Sequence, residues 1–90
     1  MILTYSHEAK ERIRFLPPEI KKGIKEILEG LSENPYLGKP LQRELSGFWS
    51  VAFKHYRIIY KILDDQNKIG VYSLGRRKDI YEEFSQGLKS

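Results

Sequence analysis

The stretch Phe48-Trp49-Ser50-Val51-Ala52-Phe53-Lys54-His55-Tyr56-Arg57-Ile58-Ile59-Tyr60-Lys61-Ile62-Leu63 decides the fold. It is the densest run of aromatic and β-branched residues in the chain, and such side chains suit a pleated, half-buried surface. The break in it falls at Lys54-His55. Before the break, Trp49, Val51 and Phe53 alternate with Phe48, Ser50 and Ala52. After it, Tyr56, Ile58, Tyr60 and Ile62 alternate with Arg57, Ile59, Lys61 and Leu63. Alternate side chains leave opposite faces of a strand, so Arg57 and Lys61 share a face with Ile59 between them. An arginine within so apolar a strand is unfavourable to bury without a partner, which makes Arg57 the first site candidate. A solvated sheet face carrying ordinary surface charge explains the same pattern.

Working outward, Asp64-Asp65-Gln66-Asn67 is polar and turn-forming, and reads as a hairpin connection. Lys68 to Leu74 is a further strand, with Ile69, Val71 and Ser73 opposite Gly70, Tyr72 and Leu74. Gly75-Arg76-Arg77-Lys78-Asp79 leads from it into a short terminal helix over Ile80 to Leu88. Asp79 suits its N-cap, and Ile80, Phe84 and Leu88 form the expected buried side. On the N-terminal side, Ile2 to Tyr5 reads as a strand and Ser6 as the N-cap of a helix over His7 to Phe15, with Glu8 in its first turn. Pro17-Pro18 ends that helix and Pro18 opens the next. Ile20, Ile24, Ile27, Leu28 and Leu31 share one face of this second helix, which runs from Pro18 to Glu33 until Asn34-Pro35 stops it. Tyr36 to Ser46 lacks periodicity and reads as a loop carrying Lys39 and Arg43. The order is strand, helix, helix, three strands, helix. Short links make the last three strands an antiparallel meander, and the two N-terminal helices cover one face of the sheet: an α+β layer fold.

Ninety residues support one domain, 1–90, around one core. The chain has no cysteine, so disulfides and thiolate metal sites are excluded. The opening residues do not read as a signal peptide and no apolar run is long enough for a bilayer, which points to a cytoplasmic protein without a membrane partner. The net charge of +4 favours an anionic partner, nucleic acid or acidic protein. Residues 1–45 hold eight basic and seven acidic side chains, and residues 46–90 hold eight and five, so the surplus sits with the strands.

His7 and His55 have no metal-ligand spacing around them, and no phosphate loop, nucleophile elbow or carboxylate pair is visible. The remaining chemistry is basic and aromatic: Lys54, His55, Arg57, Arg76, Arg77, Lys78 and Tyr81. Such a set suits a phosphodiester. RNA cleavage needs neither metal nor cofactor when the 2′-hydroxyl attacks the adjacent phosphate. Arginines stabilise the charge that develops on the phosphorane, and other groups move the two protons. Tyr81 or His55 suits part of that proton transfer. A solvated loop before a helix accounts equally well for Arg76-Arg77-Lys78.

Taken in order, these segments resemble the RelE/ParE toxin superfamily of type II toxin–antitoxin systems over nearly the whole chain. The resemblance rests on Ser6-His7-Glu8-Ala9, Leu16-Pro17, Asn34-Pro35, Leu45-Ser46-Gly47-Phe48-Trp49, Tyr56-Arg57-Ile58-Ile59-Tyr60 and Gly75-Arg76-Arg77-Lys78-Asp79-Ile80-Tyr81. In its RelE branch it implies an mRNA interferase that cuts message in the ribosomal A site. Arg57 then matches the arginine of phosphate stabilisation, and Arg77, or its neighbour Arg76, matches the arginine after the last strand; Arg57, Arg77 and Tyr81 are the expected catalytic core, converging over one sheet surface. Tyr81 matches the aromatic that bears on the 2′-hydroxyl, with Lys54, His55, Arg76 and Lys78 as further substrate contacts. The chain departs from well-equipped members at Ser50, Val51 and Ala52, where basic side chains are usual. The catalytic Glu of the YoeB subgroup has no counterpart in residues 39–44. The ParE branch shares the scaffold but inhibits DNA gyrase. A scaffold that only binds its antitoxin is the third reading. All three imply a cognate antitoxin as partner, acidic or amphipathic.

Overall fold

The computed structural model describes residues 1–89. Strand β1 (Ile2–Tyr5) is followed by helices α1 (His7–Arg14) and α2 (Pro18–Glu33), then β2 (Lys39–Pro40), β3 (Trp49–Phe53), β4 (Tyr56–Leu63), β5 (Lys68–Arg76) and α3 (Ile80–Lys89). The sheet order is β1-β5-β4-β3-β2, so β4 is central. The β3-β4-β5 meander is antiparallel as expected, but the sheet as a whole is mixed, because β1 runs parallel to β5. The intervening helices make this possible: a parallel neighbour needs a long crossover, and α1 and α2 supply it. The segment expected to be plain loop also contains β2 and two single turns of 3-10 helix, Pro35–Leu37 and Arg43–Leu45.

The core lies between the sheet and α1 and α2. Trp49, Val51 and Phe53 of β3 and Tyr56, Ile58, Tyr60 and Ile62 of β4 meet Ala9, Ile24, Leu28 and Leu31 there, as the alternation requires. On β5 the alternation fails. Ile59 pairs with Ser73 but Tyr60 pairs with Val71, so Tyr72 is an extra residue in a bulge. Leu74 therefore joins Ile69 and Val71 in the core, and Ser73 leaves that face. At α1, the Ser6 hydroxyl accepts from the Ala9 N–H at 3.0 Å and donates to the Tyr72 carbonyl at 2.7 Å, so the cap also ties the helix to β5.

Two glycines let the layers close. Within α2, any side chain at Gly23 would collide with the Phe53 ring. Gly38 lies so close to the Ser50 carbonyl and the Tyr60 hydroxyl that a Cβ there has no room. The Tyr60 hydroxyl, on a fully buried residue, accepts from the Gly38 N–H at 3.2 Å and donates to the Pro35 carbonyl at 2.7 Å. A buried phenol needs such partners, and here they clamp the loop that delivers β2.

The sheet face turned away from α1 and α2 is covered in part by α3. Ile80 is fully buried, and Phe84 packs edge-on against Phe48 with ring centroids 5.1 Å apart. Leu88, expected on the buried side, is 51% exposed. Arg12 closes the sheet edge where β1 ends. It donates to the Leu74 carbonyl at 2.9 Å and pairs with Glu83 of α3 at 3.2 Å. No described helix is long and apolar enough to cross a membrane.

Replacing Tyr60 with Phe leaves the Gly38 N–H and Pro35 carbonyl without this partner, and should lower unfolding free energy by about 1–3 kcal/mol in urea titration. A change within error would show that the bridge does not hold the loop. Burial raises the Tyr60 and Tyr5 phenols above their usual value of 10.0. The folded state thus keeps protons that the unfolded chain releases, and this stability is intact below pH 10 and lost as pH rises through the raised values. Melting temperature should fall above pH 10, and less steeply in Tyr60→Phe.

Candidate functional site

The hairpin between β3 and β4 sets the first site residue. Lys54 turns the chain with a φ of 53°, in the left-handed region that costs a side-chain-bearing residue about 1 kcal/mol. Arg57 offsets this by donating one guanidinium nitrogen, Nη1, to the Lys54 carbonyl at 3.3 Å and the Tyr56 carbonyl at 3.0 Å. Its Nε and Nη2 donors make no bond with described residues. The side chain is thus braced from behind and open in front.

Arg57 pairs with Ala52 across β3–β4, and both lie on the face away from α1 and α2. There α3 brings in Tyr81, whose hydroxyl lies 2.7 Å from the Ser50 hydroxyl. Either oxygen can donate in this pair. Ser50 is only 8% exposed and sits on β3 between β2 and β4, so it gives Tyr81 a rigid anchor. Arg57, Ser50, Ala52 and Tyr81 line one groove of about 500 Å³, together with Leu37 to Leu41. That volume lies within the ~300–1,000 Å³ range of small-ligand sites. The charged side chains lining it are Lys39 and Arg57, and no carboxylate faces them.

Arg77 does not line this groove. With His55, Arg76, Lys78 and Asp79 it lines a second cleft beyond the end of β5. The two are joined through the backbone, since the Arg77 N–H donates to the His55 carbonyl at 2.8 Å and His55 lies two residues before Arg57. Lys54 lines neither recess, and its ammonium lies over the Phe53 ring at 5.5 Å. The sequence-level candidates thus divide into a groove with Arg57 and Tyr81 and a cationic cleft with His55, Arg76, Arg77 and Lys78. Sequence reading missed Ser50 and Lys39 as groove residues. Ser50 was legible as facing the same side as Arg57, but its partner on α3 was not. A third recess, between α1 and the start of α3, is rimmed by Glu11, Asp79 and Glu83 as well as Arg12 and Arg76, a mixed charge that suits a phosphate poorly. Among the described residues, no cluster of three or more His, Asp or Glu side chains forms a metal-binding set.

The chain matches the family described as the ParE toxin of the type II toxin–antitoxin system, parDE, over residues 4–81. Toxin RelG of Mycobacterium tuberculosis (strain ATCC 25618 / H37Rv) is 35% identical over 79 residues, covering 86% of this chain and 91% of RelG. Toxin RelE of the same organism is 33% identical over 75 residues, covering 81% of this chain and 77% of that toxin. The solved toxin–antitoxin complex RelBE2 from Mycobacterium tuberculosis matches with a TM-score of 0.78 and 31% identity, over 84% of this chain and 96% of the matched one. The isolated E. coli RelE toxin shares the fold, at a TM-score of 0.75 and 20% identity, over 97% of both chains. With the family matched over most of its length and these relatives above 30% identity, the chain belongs to the RelE/ParE family of type II toxin–antitoxin toxins.

Proposed function

We propose that this toxin is an endoribonuclease that cleaves message in the ribosomal A site, by attack of a 2′-hydroxyl on its own adjacent phosphate. The observation that carries the reading is the groove shared by Arg57 and Tyr81, cationic and free of carboxylates. In the reaction the 2′-oxygen bonds to phosphorus, the bond from phosphorus to the 5′-oxygen breaks, and a cyclic phosphate and a 5′-hydroxyl result. The unused Arg57 donors bind the non-bridging oxygens, whose charge grows in the phosphorane. Tyr81 orients the 2′-hydroxyl, its own hydroxyl held by Ser50; the 2′-proton is lost to water, and the departing 5′-oxygen takes a proton from water. The His55, Arg76, Arg77 and Lys78 cleft holds a flanking phosphate.

An acidic antitoxin is the proposed protein partner. Solved structures similar to this chain include toxin–antitoxin complexes from Mycobacterium tuberculosis and Staphylococcus aureus. In this chain, Lys10, Arg14, Lys21 and Lys25 rim an apolar floor of Ile13 and Leu28 between α1 and α2, a surface that suits an amphipathic acidic segment.

A second reading, inhibition of DNA gyrase by binding, draws support from two observations. The matching family is the ParE one, and β3 offers Ser50 and Ala52 to the groove where a nuclease gains from cations. A supercoiling assay separates the two readings: inhibition of gyrase by the purified toxin with message left intact would select this one.

Message ends should be mapped on programmed ribosomes with purified protein. Arg57→Ala and Tyr81→Phe should each cut about 100-fold more slowly than the parent. Arg77→Ala should lose affinity and keep most of its rate at saturation, because its cleft holds a phosphate away from the reacting bond. Growth arrest with uncut message would reject the nuclease.

A further inference from the structure

We propose that Lys39 is a catalytic residue of this toxin, supplying to the scissile phosphate the second positive charge that β3 lacks. The proposal rests on the nuclease reading above and adds a residue to it.

Lys39 and Ser50 are directly paired across β2 and β3. Directly opposed residues of an antiparallel pair project on the same side, so Lys39 shares the face of Ser50. It lines the groove with Ser50, Arg57 and Tyr81. Its side chain is exposed, and its ammonium makes no hydrogen bond or ion pair with the described residues. Lys39 and Arg57 line the same groove with no carboxylate among the other lining residues, so an anion entering it meets two cations. The dianionic phosphorane is the state that two such cations favour most.

A β2 of two residues cannot hold a register by its own ladder. The placement of Lys39 comes from the preceding turn. The Tyr60 hydroxyl grips Pro35 and Gly38 on either side of that turn, and Gly38 admits the close approach to the Ser50 carbonyl. A buried core tyrosine thereby fixes the backbone that carries a surface lysine. This gives Lys39 a defined position that an ordinary loop lysine lacks, and it offers an alternative to basic side chains on β3.

The test compares the parent with Lys39→Ala, Lys39→Gln and Lys39→Arg in two assays. In cleavage of message on programmed ribosomes, K39A and K39Q should lower kcat about 100-fold with little change in KM. K39R, which keeps the charge, should retain most of the rate. The second assay is equilibrium binding of a 2′-O-methyl oligoribonucleotide, which cannot attack its own phosphate. The slope of log affinity against log salt should be shallower by about 0.7 in K39Q, as expected for one lost phosphate contact on a single strand. K39R should keep the parental slope. Parental kcat in K39A and K39Q overturns the assignment of Lys39 while leaving the nuclease reading in place. A parent protein that cuts no message overturns the nuclease reading, and the catalytic role of Lys39 falls with it.

Discussion

The structure depends on β4 having two working faces. Strand β5 pairs along the whole length of β4 and β3 along Tyr56 to Tyr60, so the side chains of β4 must serve one layer or the other. Tyr56, Ile58, Tyr60 and Ile62 fill the core beneath α1 and α2. Arg57, Ile59 and Lys61 face the groove side, where Lys61 lies over the Phe48 ring at 5.4 Å. A slip of one residue would carry Arg57 into the core and Ile58 into the groove. Burying that guanidinium would cost several kcal/mol, so the hydrophobic pattern holds the site in register as firmly as it holds the fold.

The two layers are not independent. Tyr60 sits in the core, yet its hydroxyl positions the turn before β2 on the far edge of the sheet. Arg12 sits on α1 in the helical layer, yet it holds α3 on the opposite face through Glu83 and caps the open edge of β5 at Leu74. The Arg12–Glu83 contact is partly exposed and contributes little energy alone. Its value lies in orientation, because α3 carries Tyr81 and is otherwise held by Ile80, Phe84 and the Ser50 contact.

Charge placement follows from the same architecture. Basic side chains gather at the end of β5, in the groove beside β2 and, on the other layer, between α1 and α2. Glu83 of α3 lies toward α1, paired with Arg12, and no carboxylate lines the Arg57 groove. An anion entering the Arg57 groove meets Lys39 and Arg57 with no acid among the lining residues, whereas the cleft beyond β5 sets Asp79 beside its cations.

The sequence by itself determined the three-strand meander, the two amphipathic helices, the break at Lys54-His55 and the side of the sheet on which Arg57 projects. These rest on periodicity and turn chemistry, which are local and survive in isolation. Arg57 was legible as a candidate from its place in an apolar strand and Tyr81 from the basic and aromatic set, and the resemblance to a toxin family gave both their roles. The tertiary structure alone decided that β1 runs parallel to β5, that a bulge at Tyr72 reverses Ser73 and Leu74, and that Leu88 stays exposed. It also separated Arg77 into its own cleft, set the Tyr81 hydroxyl against Ser50 and brought Lys39 opposite Ser50. Each of these depends on partners distant in the chain, and the free energy that selects them arises only when the layers pack.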